Sequence, residues 1–172
     1  EAETAALLAA LHARGETADE VAGAASAFRD AARPFPEVAF PLVDVVGTGG
    51  DGMGTINIST GAGIVAASMG VSVAKHGNRA VSSRTGAADV VAALGLPLSV
   101  PPEQAVEILA RDHFTFLFAQ AYHPAMRHVA PIRRALATPT IFNVLGPLLN
   151  PARLTYQLMG VADPDIIDMI AE

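Results

Sequence analysis

Residues 43–60 read VDVVGTGGDGMGTINIST. An apolar run, Val43 to Val46, meets a glycine cluster, which leads through Asn57, Ser59 and Thr60 into an Ala/Gly/Ile segment. That is the grammar of a strand, an anion-cradling loop and a helix N-terminus. The glycines let the backbone turn tightly and approach a ligand. Free N–H groups in such a loop, with the positive end of the next helix, favour phosphate. Ser59 or Thr60 then caps the helix or offers a hydroxyl to a metal-bound phosphate. No Gly-Lys-Ser/Thr follows, so this is not a P-loop, and the order G-T-G-G-D-G is not the dinucleotide-binding spacing. Asp51, an acid inside a phosphate loop, suits a sugar hydroxyl or a metal-bound water.

Outward from this stretch, strand and helix alternate. Upstream, Leu7, Leu8 and Leu11 fall at helical spacing over residues 1–13. Thr17-Ala18-Asp19-Glu20 reads as an N-cap with early acids, opening a helix over about 18–31 with an apolar face of Val21, Ala24, Ala25 and Phe28. This pair has too little core to stand alone and is expected to pack on a partner or on further chain. Pro34, Pro36 and Pro41 mark a linker. The expected division is a helical part over 1–33, a linker over 34–42, and an α/β domain over 43–172 that is incomplete at its C-terminal side.

Downstream, Gly61–Met69 is an expected helix and Val71–Ala74 a strand closed by Lys75. A second loop, HGNRAVSSRTG, precedes a helix over about 86–94 that Gly95 ends. Pro101-Pro102-Glu103 opens a helix to about Arg111, and Phe114–Phe118 is a strand of strong β-formers, its phenylalanines assigned to the core. Pro124 opens a helix to about Leu136. Thr140–Val144 reads as strand or turn, with Gly146-Pro147 and Asn150-Pro151 as breakers. Leu154–Val161 reads as a strand, and Asp163-Pro164-Asp165 starts a last helix. The pattern predicts an α/β fold with a parallel or mixed sheet flanked by helices. Ligands of such sheets bind beyond the carboxyl ends of the strands, so both loops can meet at one crevice.

The 172 residues carry a net charge of −6 and no cysteine. The charge argues against non-specific nucleic-acid binding. Without cysteine there is neither disulfide nor thiolate chemistry. No run of apolar residues is long enough for a membrane span, and nothing argues for export. Lys75, Arg79 and Arg84 cluster in the second loop, and Arg127, Arg133 and Arg134 in another segment. Two local basic spots on an acidic chain suit a small anionic ligand.

The first loop supplies N–H groups, Asp51, Asn57, Ser59 and Thr60; the second supplies Lys75, His76, Asn78, Arg79, Ser82 and Ser83. Anion cradles, cations and hydroxyls with one carboxylate fit a pyrophosphate held against a sugar. Ser59 can ligate a Mg²⁺ carried by the diphosphate. Lys75 neutralises charge as a point cation. His76 serves as a general base or as a hydrogen-bond donor to an aromatic substrate. His123 and His128 are assigned to packing or capping. Zinc spacing and a nucleophile elbow are both lacking.

Five ordered motifs carry a resemblance across essentially the whole chain: GTGGDG (47–52), NIST (57–60), KHGNR (75–79) with the serines at 82–83, HPAM (123–126) and TIFNVLGPLLNPA (140–152). The sequence resembles the anthranilate phosphoribosyltransferases of tryptophan biosynthesis, whose fold is similar to that of pyrimidine nucleoside phosphorylases. The resemblance implies that Gly47, Gly50, Asp51, Thr55, Asn57, Ser59 and Thr60 bind phosphoribosyl pyrophosphate, with Ser59 touching Mg²⁺. Lys75, His76, Gly77, Asn78, Arg79, Ser82, Ser83 and Ala87 would complete that cradle. Gly47, Asn78 and Arg133 would contact anthranilate, the Arg133 guanidinium pairing with its carboxylate. His76 and Met126 would line its approach. No residue is singled out as catalytic.

The implied reaction is attack of the anthranilate amine on the anomeric carbon, expelling pyrophosphate. The implied setting is a cytoplasmic homodimer formed through the helical part. Departures are Pro139 where many members have Arg, Gln120 where Pro is common, and Ala87 where a small hydroxyl residue is usual. Family members extend on both sides, and their Asp-Glu pair for a second Mg²⁺ has no counterpart here. Two other readings compete: a non-catalytic anion-binding or assembly module, and a nucleoside phosphorylase-like enzyme.

Overall fold

A computed structural model describes residues 1–49, 54–80 and 85–172. Two helices open the chain, α1 (Ala2–Arg14) and α2 (Ala18–Asp30). The expected cap of α2 is a full capping box: the Thr17 hydroxyl accepts the Glu20 N–H and the Glu20 carboxylate accepts the Thr17 N–H. The pair does not await a partner to bury its apolar face. Leu8, Val21 and Ala25 share a core with Ile132, Ile141, Leu145 and Leu149 of this chain.

Among the described residues the sheet has four parallel strands in the order β3-β2-β1-β4. They are β1 (Val43–Gly47), β2 (Val73–Gly77), β3 (Phe114–Phe118) and β4 (Tyr156–Gly160). Helix α3 (Ile58–Ser68) crosses from β1 to β2, α4 (Ala87–Ala93) follows β2, and α5 (Pro102–Asp112) leads into β3. Phe116 packs with Ala88 and Val91 of α4 on one face, with Phe114 and Phe118 half-buried beside them, as the alternation of β3 requires. Leu117 and Ala74 pack with Ala105 and Leu109 of α5 on the other. The sheet is thus covered on both faces, as parallel sheets are. β4 forms one edge, and its Tyr156 and Leu158 are 65% and 66% exposed.

Three stretches differ from the expectations. Lys75 does not close β2 but sits at its centre, 2% exposed. A one-turn helix, α6 (Ala119–Tyr122), precedes α7 (Met126–Leu136), so Pro124 lies in the turn between them. Residues read as strand or turn followed by a breaker form a helix instead, α8 (Phe142–Leu148), with Pro147 inside it. Tertiary burial decides that case. Leu145 is fully buried, and the Phe142 ring meets Phe28 of α2 edge-on at 5.3 Å. The last helix is α9 (Ile167–Ala171), after a single 3₁₀ turn at Pro164–Ile166.

Candidate functional site

The carboxyl ends of β1 and β2 bring the two loops together. Gly47 ends β1, Asn57 caps α3 and Gly77 ends β2. The Asn57 side-chain amide donates to the Thr85 hydroxyl at 2.9 Å, tying the end of the first loop to the end of the second. Gly50, Asp51, Ser82 and Ser83, expected donor-site residues, lie outside the described residues. Thr55 is exposed beside the start of α3, and Thr60 is buried in its first turn.

Neither Ser59 nor Thr60 caps α3, since Asn57 holds that position. That leaves the Ser59 hydroxyl without a hydrogen-bond partner among the described residues. A Cβ on Gly47 would sit 3.9 Å from Ser59 Oγ and 3.4 Å from the Gly160 carbonyl, so glycine keeps this corner open. Among the described residues no group of three His, Cys, Asp or Glu side chains can cage a metal. One free hydroxyl in an open corner fits instead a Mg²⁺ that arrives on a diphosphate and keeps its waters.

The second loop is tightly built. Arg79 pairs with Asp89 at 2.8 Å, and the Ala80 and Gly86 N–H groups donate to the same carboxylate. Those two N–H groups, and the guanidinium after them, hold the Asp89 carboxyl below the usual carboxylate range. Glycine is required at position 86 by close approach: a Cβ there would lie 2.3 Å from the Ala80 nitrogen. The Asn78 Oδ1 accepts the Arg79 N–H at 2.8 Å and the Gln120 amide at 3.4 Å, so the oxygen is committed to these two donors and the amide N–H₂ is the donor end of the side chain. Gln120, noted from the sequence only as a departure, therefore reaches the site. A Cβ on Gly77 would press on Ala87 and the Phe116 ring at 3.0 Å.

Lys75 and His76 lie deeper than their sequence roles imply. The Lys75 ammonium donates to the Val45 carbonyl at 2.6 Å. Burial pushes its pKa down, and the charge of Asp44 works against that. Asp44 is fully buried, and burial pushes its carboxyl up while Lys75 and Asn150 pull it back. Asn150 donates to Asp44 Oδ2 and to the Ala74 carbonyl, both at 2.9 Å, and accepts the Ala152 N–H. The sequence reading had Asn150 only as a breaker and gave Asp44 no role.

His76 is 5% exposed. Burial, then the neighbouring His123, pushes its pKa down to about 3, against the pull of the Gly146 carbonyl. The rings of His76 and His123 meet edge-on at 5.2 Å. His123 is a packing residue, its Nε2 sharing a proton with the Leu149 carbonyl at 2.8 Å.

Arg133 is half-buried on α7. Its Nη2 donates to Asn143 Oδ1 at 3.3 Å, and its guanidinium lies 5.4 Å from the centre of the Phe142 ring. Asn143 is itself fixed by the Thr140 N–H. Helix α8 therefore serves two parts of the site, holding Arg133 through Phe142 and Asn143 and reaching His76 through Gly146. Met126 is half-buried at the start of α7.

Comparison with known proteins matches residues 39–172 to the glycosyl transferase family, a/b domain, and residues 1–32 to the helical bundle domain of the same family. The chain is 56% identical over 168 residues to the anthranilate phosphoribosyltransferase of Corynebacterium efficiens, covering 98% of this chain and 49% of that one. Against that of Haemophilus influenzae it is 56% identical over 170 residues, covering 99% and 51%. Among solved structures, the anthranilate phosphoribosyltransferase of Thermus thermophilus superposes with a TM-score of 0.92 at 53% identity, over 98% of this chain and 51% of that one. The Saccharomyces cerevisiae enzyme in complex with PRPP and Mg superposes with a TM-score of 0.91 at 35% identity, over 99% and 48%. The chain thus spans about half the length of the curated relatives it matches.

Proposed function

The chain belongs to the glycosyl transferase family, and from that premise we propose that it carries the donor site of an anthranilate phosphoribosyltransferase. The observation that carries the proposal is the Asn57–Thr85 hydrogen bond, which joins the glycine loop and the basic loop over the ends of β1 and β2. The reaction transfers the phosphoribosyl group from phosphoribosyl pyrophosphate to anthranilate. A bond forms between the amine nitrogen and the anomeric carbon, the bond from that carbon to the pyrophosphate oxygen breaks, and the amine loses a proton.

Each group of this chain has a part. The N–H groups at the start of α3 and in the two loops stabilise the leaving pyrophosphate. Bound Mg²⁺ supplies charge neutralisation of the diphosphate, and Ser59 offers it one oxygen. The Asn78 amide and the Arg133 guanidinium orient the acceptor, Arg133 by pairing with its carboxylate. Lys75 acts from beneath the site, its ammonium holding the middle of β1 at the Val45 carbonyl. His76 is buried neutral, so it acts in packing along the acceptor's approach and takes no proton. The aniline-type amine is nucleophilic without a strong base. Residues 1–33 are the helical part, 34–42 the linker and 43–172 the α/β part. Assembly as a homodimer through α1 and α2, and a cytoplasmic setting, complete the proposal.

The test is a fluorescence assay for phosphoribosyl anthranilate with Mg²⁺, run beside calorimetric titration of phosphoribosyl pyrophosphate. Turnover, abolished by Asp51→Ala, is the expected result. Binding without turnover would leave a non-catalytic anion-binding module, and neither would sink the site assignment.

A further inference from the structure

We infer that Asp89 is a positioning residue of the donor site: its carboxylate ties Arg79 and Ala80, after β2, to Gly86, at the start of α4, and through Thr85 it holds the start of α3. The inference rests on the donor-site reading above. Asp89 Oδ2 accepts the Gly86 N–H at 2.8 Å and the Ala80 N–H at 3.2 Å, while Oδ1 accepts the Arg79 guanidinium at 2.8 Å. The bond from Gly86 alone would be the half of a capping box in which the N3 carboxylate accepts the N-cap N–H of α4. Ala80 and Arg79 follow β2 whereas Gly86 precedes α4, so the same carboxylate joins two segments.

The two segments also meet through the backbone: the Ala88 N–H donates to the Asn78 carbonyl at 3.1 Å, and a Cβ added at Gly86 would lie 2.3 Å from the Ala80 nitrogen. Thr85 directly precedes Gly86 and receives the Asn57 amide, and two residues beyond Asn57 stands Ser59. A line of neighbouring residues therefore runs from Asp89 through Gly86, Thr85 and Asn57 to Ser59. A carboxylate suits this post because it accepts at two oxygens and donates at none. An amide in its place would turn an N–H₂ toward one of the three donors.

The test compares wild type, Asp89→Asn, which is isosteric, and Asp112→Asn as a control. Asp112 pairs with Arg111 at the exposed end of α5, so the control removes a similar charge pair elsewhere. Three quantities are read: hydrogen exchange of the Ala80 and Gly86 amides, calorimetric Kd for inorganic diphosphate with Mg²⁺, and Tm. Asp89→Asn is expected to speed exchange at both amides, to raise Kd by about tenfold or more, and to leave the fold intact, because the Asp89 side chain is half-buried at the start of α4 and outside the main core clusters. Asp112→Asn should change neither exchange nor Kd. An unaltered Kd in Asp89→Asn, with wild type binding, overturns the inference and leaves the donor-site reading standing. Failure of wild type to bind overturns both. Loss of the fold in Asp89→Asn also overturns the inference, since Asp89 would then serve the fold and not the site.

Discussion

Replacing Asn150 with alanine tests the buried network beneath the site. One side chain makes three hydrogen bonds, to Asp44 Oδ2, to the Ala74 carbonyl and from the Ala152 N–H, each 2.9 Å long. Asp44 is fully buried and Asn150 is 7% exposed, so water replaces none of these bonds at the sheet. A buried polar group left without its partner costs about 1–3 kcal/mol. Two acceptors and one donor lose theirs, an upper range of about 3–9 kcal/mol; Asp44 keeps the backbone N–H groups of His76 and Val45, so about 3–6 kcal/mol is expected. Against a usual domain stability of about 5–15 kcal/mol, that is a large fraction. With a urea slope near 2 kcal/mol per molar, the midpoint should fall by roughly 1.5–3 M. The assay is urea unfolding followed by circular dichroism, with Asp44→Asn measured alone and combined with Asn150→Ala. Because Asn150 and Asp44 are in contact, the two losses should fail to add. A loss below about 1 kcal/mol for Asn150→Ala, or strict additivity, would refute the reasoning.

Other expectations follow from single contacts. Gly86→Ala places a Cβ where backbone already stands, so amide exchange across the turn should accelerate and affinity for Mg²⁺-diphosphate should fall, both readable in the folded protein. Arg133→Ala should weaken anthranilate binding by about tenfold or more in calorimetry and leave diphosphate affinity unchanged. His76 makes stability pH-dependent. Its imidazole is neutral in the fold with a pKa of about 3, against 6.5 when unfolded, so its contribution is whole above 6.5 and is lost as pH falls toward 3. At a pH of about 4.5 that loss is roughly 3 kcal/mol. His76→Gln should therefore flatten the dependence of the urea midpoint on pH over this window, and an unchanged slope would count against the burial argument.

Much of this architecture could be read from residue patterns because the controlling signals are local. The Thr17–Glu20 box, the run of Phe114–Phe118 and the glycine loop after Val43–Val46 each announce their element within a few residues. Gly95, at φ 77°, ends α4 as its position suggests. Helix α8 could not be read so, because Gly146 and Pro147 oppose helix locally and the decision lies with Phe28, Val21 and Ile132. The same holds for site residues. Asn57 and Asn78 stand in motifs and Arg133 in a basic cluster, but the partners that hold them are Thr85, Gln120 and Asn143. Asn150 and Asp44 are 106 residues apart, and no spacing rule connects them. Lys75 looked like an end-of-strand cation because lysines are rarely buried. The carbonyl of Val45 and the charge of Asp44 supply what that rule omits.

The burial of Lys75 has a further consequence, because it is the only lysine in the sequence. The side-chain amines of this chain therefore amount to one, buried between the sheet and α3. Reagents and enzymes that acylate, cross-link or tag lysine find no side-chain target on the folded surface. Lys75 lies against α3, where a Cβ on Gly63 would come within 3.9 Å of its Cδ, so it reacts only when α3 lifts from the sheet, and its rate of modification by a small amine-reactive probe clocks that opening. A single mass shift would report, molecule by molecule, how often the floor of the site comes apart.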